Sequence, residues 1–115
     1  MAVILLVDDE QSVLSVTSTV LRQEGHEVLT ASNGLEALAV FLAHAETIGL
    51  VLTDLKMPEM DGYELVGRIR ETKADAKIVC MSGYLEDECP KDVRLVRKPF
   101  LPEEIRACVS EILGA

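Results

Sequence analysis

The chain has 115 residues, about half of them apolar, and a formal net charge of −9. This length suits a single compact domain over residues 1–115, with a real core and no room for a second domain. The acidity argues against nucleic acid or an anionic membrane surface as the main partner. It favours a divalent cation or a basic protein face instead.

Neither a membrane segment nor a disulfide framework is predicted. No apolar run approaches the roughly 20 residues that span a bilayer, and no basic stretch with a cleavage site opens the chain. The three cysteines, Cys80, Cys89 and Cys108, lack the spacing of a zinc site or of paired bridges. We therefore expect a cytoplasmic protein in which Cys80 and Cys108 are small core residues.

The first half of the chain predicts two strands alternating with two helices. Val3–Val7 is continuously apolar, which is typical of a strand buried on both faces of a parallel sheet. A helix then ends at Gly25, residues 27–30 form a second strand, and Asn33 with Glu36 caps a second helix. The predicted apolar faces are Val13, Leu14, Val16, Val20 and Leu21 in the first helix and Leu38, Phe41, Leu42 and Ala45 in the second.

The second half continues the alternation, and its strands again end at polar residues. Strands that alternate with helices imply right-handed crossovers and an open parallel sheet. The third helix is expected to bury Gly62, Leu65, Val66 and Ile69 on one face. The elements are a strand at 50–52 before Asp54, a helix opened by Asp61 and Glu64, a strand at 78–81 before Ser82, a strand including 95–96 before Lys98, and a helix opened by Pro102.

The stretch at residues 83–92 departs from this rhythm. It must hold two loops and any helix between the fourth and fifth strands, and Pro90 disfavours helical backbone at the residue before it. We expect one helical turn at most, so that the fourth helix of the alternation is shortened or absent.

Polar residues at the strand ends indicate one shared site. The carboxyl ends of parallel strands meet at the edge where ligands bind in a doubly wound sheet. Those ends carry Asp8 and Asp9, Asp54, Ser82 and Lys98. Three carboxylates brought together repel one another unless a cation lies among them, and Mg²⁺ is the hard, oxygen-liganded cation that suits such a site.

The same residue types suit phosphoryl transfer. Asp54 could attack phosphorus and form an acyl phosphate, and little beyond positioning and charge neutralisation is then required. Lys98 would supply a mobile positive charge for one phosphoryl oxygen, and the Ser82 hydroxyl could donate a hydrogen bond to another.

Four motifs together resemble those of the response-regulator receiver family, in the same order and across essentially the whole chain. They are V-D-D-E at 7–10, T-D-L-K-M-P-E-M-D-G at 53–62, M-S-G-Y at 81–84 and K-P-F at 98–100. The first and last are weak alone, whereas the D-x-x-M-P-x-M-D-G segment is specific. The resemblance implies a flavodoxin-like α/β fold with a five-stranded parallel sheet in the order 2-1-3-4-5.

The resemblance also implies roles for the site residues. Asp54 would be the phosphoacceptor, Asp9 a direct Mg²⁺ ligand and Asp8 an acidic-pocket partner. The main-chain carbonyl of Lys56 would complete the protein's share of the metal shell.

In the same family, Ser82 and Lys98 would be the switch hydroxyl and the switch lysine. The phosphoryl group would come from a phosphohistidine on a histidine kinase or a histidine phosphotransfer domain, and an unknown downstream protein would read the result. The chain would then be a signalling phosphoacceptor and not an enzyme, beyond catalysing its own phosphorylation and dephosphorylation.

Two other functions stay open at this point. A haloacid-dehalogenase-type phosphatase also uses an Asp nucleophile with Mg²⁺, but it carries a second Asp where this chain has Lys56. A degenerate receiver that serves only as a docking surface would not need the complete set of site residues.

Two features depart from the family pattern. Leu95 stands where many receivers carry an aromatic residue that swings inward on activation, which puts that coupling in doubt. The short stretch at 83–92 alters the usual dimerisation face, so we expect a monomer or a weak dimer built elsewhere. The chain could be a module of a hybrid sensor kinase or a free-standing regulator.

Lys56 and Tyr84 lie two residues beyond Asp54 and Ser82. In this family these positions flank the phosphoryl group, and our hypothesis is that the bulky pair slows its hydrolysis. The alternative is that both side chains simply point outward, as loop residues often do.

Overall fold

In a computed structural model, which describes residues 2–84, 88, 90 and 92–114, strands and helices occur in the predicted order. The strands β2 to β5 extend one or two residues beyond their predicted ends. The strands are β1 Val3–Val7, β2 Glu27–Ala31, β3 Ile48–Asp54, β4 Ile78–Ser82 and β5 Arg94–Arg97. The helices are α1 Gln11–Gln23, α2 Gly34–Ala43, α3 Gly62–Thr72 and α4 Pro102–Leu113.

The five strands form one parallel sheet in the order β2-β1-β3-β4-β5, which confirms the predicted fold class. The prediction of a shortened or absent helix between β4 and β5 concerns residues 83–92. Residues 85–87, 89 and 91 of that stretch lie outside the described residues.

Two apolar layers cover the two faces of the sheet, and β1 supplies both. Because successive strand residues point to opposite faces, Leu5 and Val7 join the layer that includes α2 and α3, whereas Ile4 and Leu6 join the layer that includes α1 and α4. All four side chains are fully buried. The continuous apolar run therefore reflects a central strand with a core on either side.

Helix starts follow the predicted capping pattern, with one difference. The Asn33 side chain accepts a hydrogen bond from Glu36 N at 2.8 Å, and Asp61 accepts one from Glu64 N at 2.9 Å. The Glu36 carboxylate accepts from Ser32 N at 3.0 Å instead of returning to the backbone of Asn33. Each of these hydrogen bonds gives a partner to a backbone N–H group at the start of a helix, where no preceding turn can supply one.

The predicted helix faces are right for most positions and wrong for two. Gly62, Leu65, Val66 and Ile69 of α3 are buried as expected, and the side chains of Cys80 and Cys108 are buried too. Leu42 and Val16 are instead 54% and 61% exposed. Apolar spacing alone misassigned them because each helix contacts the sheet along a narrower stripe than its apolar residues cover.

Gly62 allows α3 to begin directly against the end of β3. A Cβ atom at this position would lie 2.3 Å from the main-chain oxygen of Asp54 and 2.7 Å from the Cα of Leu55. Gly62 N also donates to Leu55 O at 2.9 Å. Because Gly62 has no side chain, the start of α3 packs directly against the backbone of Asp54 and Leu55.

Replacing Gly62 by Ala should destabilise the chain, because the new Cβ meets backbone atoms that cannot turn away. We expect a loss of about 1–3 kcal/mol in the free energy of unfolding, measured by urea denaturation. Gly67→Ala in the same helix is the matched control, since nothing lies within 4 Å of its Cβ position. That control should gain up to about 1 kcal/mol from helix propensity. Equal effects of the two variants would contradict this account.

Candidate functional site

The predicted site residues lie at the carboxyl edge of the sheet. Asp8 follows β1, Asp54 is the last residue of β3, Ser82 is the last residue of β4, and Lys98 follows β5. Asp54 pairs with Met81 in the parallel register, and Leu55 N donates to Met81 O at 3.1 Å. The sheet order therefore brings together four residues that are far apart in the sequence.

The Lys98 ammonium joins the acidic residues of this edge. Its Nζ lies 2.7 Å from Asp8 Oδ2, 3.4 Å from Asp54 Oδ2 and 3.6 Å from Glu10 Oε1. Asp8 and Asp54 are both buried, and buried carboxylates need such a partner to remain charged. Lys98 is accordingly the counter-ion of two carboxylates at once.

Three carboxylates form a group with the spacing of a metal site. Oxygens of Asp8, Asp9 and Asp54 all lie within 4.8 Å of one another, and Asp9 is exposed to solvent. Glu10 adds a further carboxylate, which lies 3.6 Å from Lys98 Nζ. The excess negative charge and the all-oxygen donor set both fit Mg²⁺.

Burial and repulsion shift the acidity of these groups. Burial raises the pKa of Asp54 to about 6, and the nearby charge of Asp8 adds to this, while Lys98 acts in the opposite direction. Burial also raises the pKa of Asp8 above its ordinary value. Burial opposes the charged form of Lys98, but the hydrogen bond to Asp8 and the charges of both carboxylates prevail, so that the pKa of Lys98 is raised.

The Ser82 hydroxyl lies at the end of β4 and interacts with the backbone of the following loop. Its Oγ donates to Tyr84 O at 3.2 Å and accepts from Tyr84 N at 3.1 Å. The strand beyond is close, because Lys98 N donates to Ser82 O at 2.7 Å. A hydroxyl has one proton, so Ser82 must turn away from Tyr84 O before it can donate to another oxygen.

Lys56 lies in the loop after β3, and its side chain is exposed. The Lys56 Nζ stands 6.0 Å from the centroid of the Tyr84 ring, at the outer limit of a cation–π contact. The loops after β3 and β4 thus meet through these two side chains. The assignment of the Lys56 carbonyl to a metal stays a prediction.

Comparisons with known proteins agree with this geometry. The sequence model of the response regulator receiver domain matches residues 4–110. The chain belongs to the response regulator receiver family. Receivers are the phosphoacceptor signalling domains of two-component systems and not conventional enzymes, so the predicted family and function class are confirmed. This result sets aside the phosphatase alternative.

Three similar proteins illustrate where such receivers occur. The sensor kinase CckA of Brucella abortus is 35% identical over 97% of this chain, which spans 12% of that kinase. The probable transcriptional regulator ycf27 of Cyanidium caldarium is 38% identical over 96% of the chain, which spans 45% of it. The response regulator TrrA of Thermotoga maritima, solved in complex with Mg(2+)-BeF, is 35% identical with a TM-score of 0.87, covering 98% of this chain and 100% of that chain. The chain thus spans less than half the length of these two curated relatives.

The part of the receiver that the structure describes contains no helix with the length and apolar character needed to cross a membrane.

Sequence reasoning gave no role to two residues that contribute to the site. Glu10 N donates to Asp8 Oδ1 at 2.9 Å, which orients that carboxylate, and its own side chain faces Lys98. Arg97 donates to the main-chain oxygen of Tyr84, the same atom that the Ser82 hydroxyl uses. In the sequence, Glu10 ends the V-D-D-E motif and Arg97 precedes Lys98, but neither position reveals the direction of the side chain.

The raised pKa of Asp54 predicts a pH-dependent stability in metal-free buffer. The folded receiver binds a proton at Asp54 more tightly than an unfolded chain with a pKa of 3.8 does. This contribution to stability is therefore present below pH 3.8 and is lost as the pH rises through about 6. The shift corresponds to roughly 3 kcal/mol.

Asp54→Asn keeps the shape of the side chain and removes its charge. By urea denaturation, this variant should be about 1–3 kcal/mol more stable than the wild type near pH 7.5 and should lose that advantage near pH 4. A constant difference between the two proteins across this range would contradict the assignment.

Proposed function

We propose that Asp54 accepts a phosphoryl group from a phosphohistidine of a histidine kinase or histidine phosphotransfer domain. The observation that carries this proposal is the pairing of a buried carboxylate at a strand end with Lys98, 3.4 Å away, inside an acidic cluster. In the transfer, an oxygen of Asp54 forms a bond to phosphorus as the phosphorus–nitrogen bond of the donor breaks. The products are an acyl phosphate and a free imidazole.

Asp54 must be ionised to attack. A pKa of about 6 leaves this carboxylate mostly ionised at neutral pH and makes it more basic than an ordinary Asp. Asp54 Oδ1 accepts a hydrogen bond from Leu55 N at 2.9 Å, whereas Asp54 Oδ2 faces Lys98. We propose that Lys98 follows the negative charge from the carboxylate to the phosphoryl oxygens, because its flexible stem lets the ammonium move.

Ser82 is proposed as the switch hydroxyl. Its hydroxyl lies within hydrogen-bond distance of Tyr84 O, and donation to a phosphoryl oxygen would replace that hydrogen bond. Arg97 also donates to Tyr84 O and would keep that carbonyl paired after the hydroxyl leaves. The loop after β4 would then change shape as the phosphoryl group arrives, which would alter the surface read by a downstream protein.

We propose that Asp8, Asp9, Asp54 and the main-chain carbonyl of Lys56 hold Mg²⁺. Support comes from the three carboxylates within 4.8 Å and from TrrA, a similar regulator solved in complex with Mg(2+)-BeF. A bound Mg²⁺ would neutralise negative charge on the phosphoryl oxygens. Within the protein, Asp8 also holds Lys98 close to Asp54.

We also propose the kind of protein and the cellular compartment in which this receiver acts. Its relatives include a sensor kinase and a transcriptional regulator, which supports either a hybrid-kinase module or a regulator domain spanning residues 1–115. The three cysteines lack the spacing of paired bridges, which suits a reducing, cytoplasmic compartment. Neither nucleic acid nor a membrane is proposed as a direct partner, given the net charge of −9.

Incubation with acetyl phosphate and Mg²⁺ should add one phosphoryl group, detected by intact-mass measurement. Asp54→Asn should show no adduct, and chelation of Mg²⁺ with EDTA should reduce labelling of the wild type by at least about tenfold. Asp75→Asn makes the same substitution at an exposed aspartate outside the proposed site, so it is the control and should label like the wild type. An adduct that persists in Asp54→Asn would contradict the proposed acceptor.

Tyr84→Ala should shorten the lifetime of the phosphorylated receiver if the ring and Lys56 hinder water. The expected change is about two- to tenfold, or roughly 0.4–1.4 kcal/mol in the hydrolysis barrier. Tyr63→Ala replaces another exposed tyrosine, on α3, and serves as the control. The measurement is the decay of the intact-mass adduct after the phosphodonor is removed, and an unchanged half-life in Tyr84→Ala would refute the hypothesis.

A further inference from the structure

Helix α2 presents an apolar face to solvent. Its ten residues include a single charged side chain, Glu36. Leu35 and Leu42 are 51% and 54% exposed, and Ala39 and Ala43 are exposed between and beside them. These four positions, spaced i, i+4, i+7 and i+8, share the side of the helix opposite the buried Ala37 and Phe41. We call this set the α2 face.

The α2 face contrasts with the outer sides of α3 and α4. A single exposed leucine is ordinary on a protein surface, but here the apolar positions are contiguous. The outer sides of α3 and α4 carry charged residues at the corresponding places, among them Glu64, Arg68, Glu103 and Glu111. Helix α2 has no charged side chain besides Glu36, so this surface offers few groups that water hydrates strongly.

We propose that the α2 faces of two copies of this chain pair antiparallel in a weak homodimer. With a net charge of −9, two copies repel one another wherever carboxylates meet. On the α2 face two copies can approach with few charges between them. A basic partner, by contrast, would be attracted to the acid-rich surfaces and would gain little from this one.

The sequence of α2 is self-complementary in the antiparallel orientation. A twofold axis between residues 38 and 39 sets Leu35 opposite the partner subunit's Leu42, and the reverse, with the small Ala39 near the axis so that the backbones can approach. The positive N-terminal end of each helix then meets the negative C-terminal end of the other. Glu36 does not oppose this pairing, because its carboxylate is bound to Ser32 N at its own helix start.

The size of the α2 face implies a weak association. A ten-residue helix is about 15 Å long, so the pair would bury much less than the roughly 1,600 Å² of a stable interface. We expect a dissociation constant in the range of about 0.1 to 1 mM. Because the face does not include Asp54, Ser82 or Lys98, dimerisation should not require phosphorylation.

Sedimentation velocity of the 115-residue chain from about 10 µM to about 1 mM tests the proposal. The wild type and Asp54→Asn should show the same concentration-dependent dimer, and Leu42→Glu should weaken it by at least about tenfold. Leu101→Glu is the matched control, since Leu101 is 62% exposed beside α4. Thermal unfolding of each variant verifies that it is folded.

A charge-swap pair makes the test independent of any single substitution. A copy with Leu35→Glu and Leu42→Glu and a copy with Leu35→Lys and Leu42→Lys should each be monomeric, and mixing them should restore the dimer. A wild type that stays monomeric up to about 1 mM would overturn the proposal. So would a dimer that is lost in Leu101→Glu and kept in Leu42→Glu, or a mixture that does not associate.

Discussion

One ammonium group held between two buried carboxylates is the interaction on which the site depends. Lys98 Nζ contacts Asp54 and also Asp8, which lies 90 residues away in the sequence, and each partner comes from the end of a different strand. The contact therefore exists only when β1, β3, β4 and β5 are in their observed order. If Lys98 were removed, two carboxylates would remain in a buried place with no cation, which is strongly unfavourable. The proposed phosphoryl transfer and divalent-cation binding would both use this same balance of charge, because each would add or neutralise charge at the point where Lys98 lies.

The acidic site opposes folding, and the two apolar layers compensate for it. The raised pKa values of Asp8 and Asp54 show that burial and repulsion disfavour their charged forms in the folded chain. Stability comes from the central strands, whose side chains enter a core on both faces of the sheet. A parallel sheet covered on both sides can thus support an unfavourable cluster of charges at one edge without losing its fold. Gly62 contributes to both the core and the site, because it lets α3 pack against the end of β3 and fixes the backbone at Asp54.

Because Leu95 stands at the position of the family's aromatic residue, we expect signal transmission in this receiver to use parts other than an aromatic switch. Leu95 is half-buried against the core layer of α2 and α3 and has no hydroxyl to report a polar change. The hydrogen bonds from Ser82 and Arg97 to Tyr84 O join the ends of β4 and β5 instead. In the proposed function, a change at Ser82 would therefore pass first to the backbone of the loop after β4. The α2 face lies on another element and offers a surface that does not depend on this change.

The sequence by itself determined the order of elements, the parallel sheet and the convergence of Asp8, Asp9, Asp54 and Lys98 at one edge. It could do so because strand periodicity, capping residues and strand ends are local features, and parallel strands necessarily share an edge. Only the tertiary structure decided that Lys98 lies closest to Asp8, that Asp9 stays exposed, and that the Ser82 hydroxyl points to Tyr84. It also decided that Leu42 and Val16 face solvent. Distances between side chains and the depth of burial depend on how distant elements pack, and no local pattern in the chain encodes them.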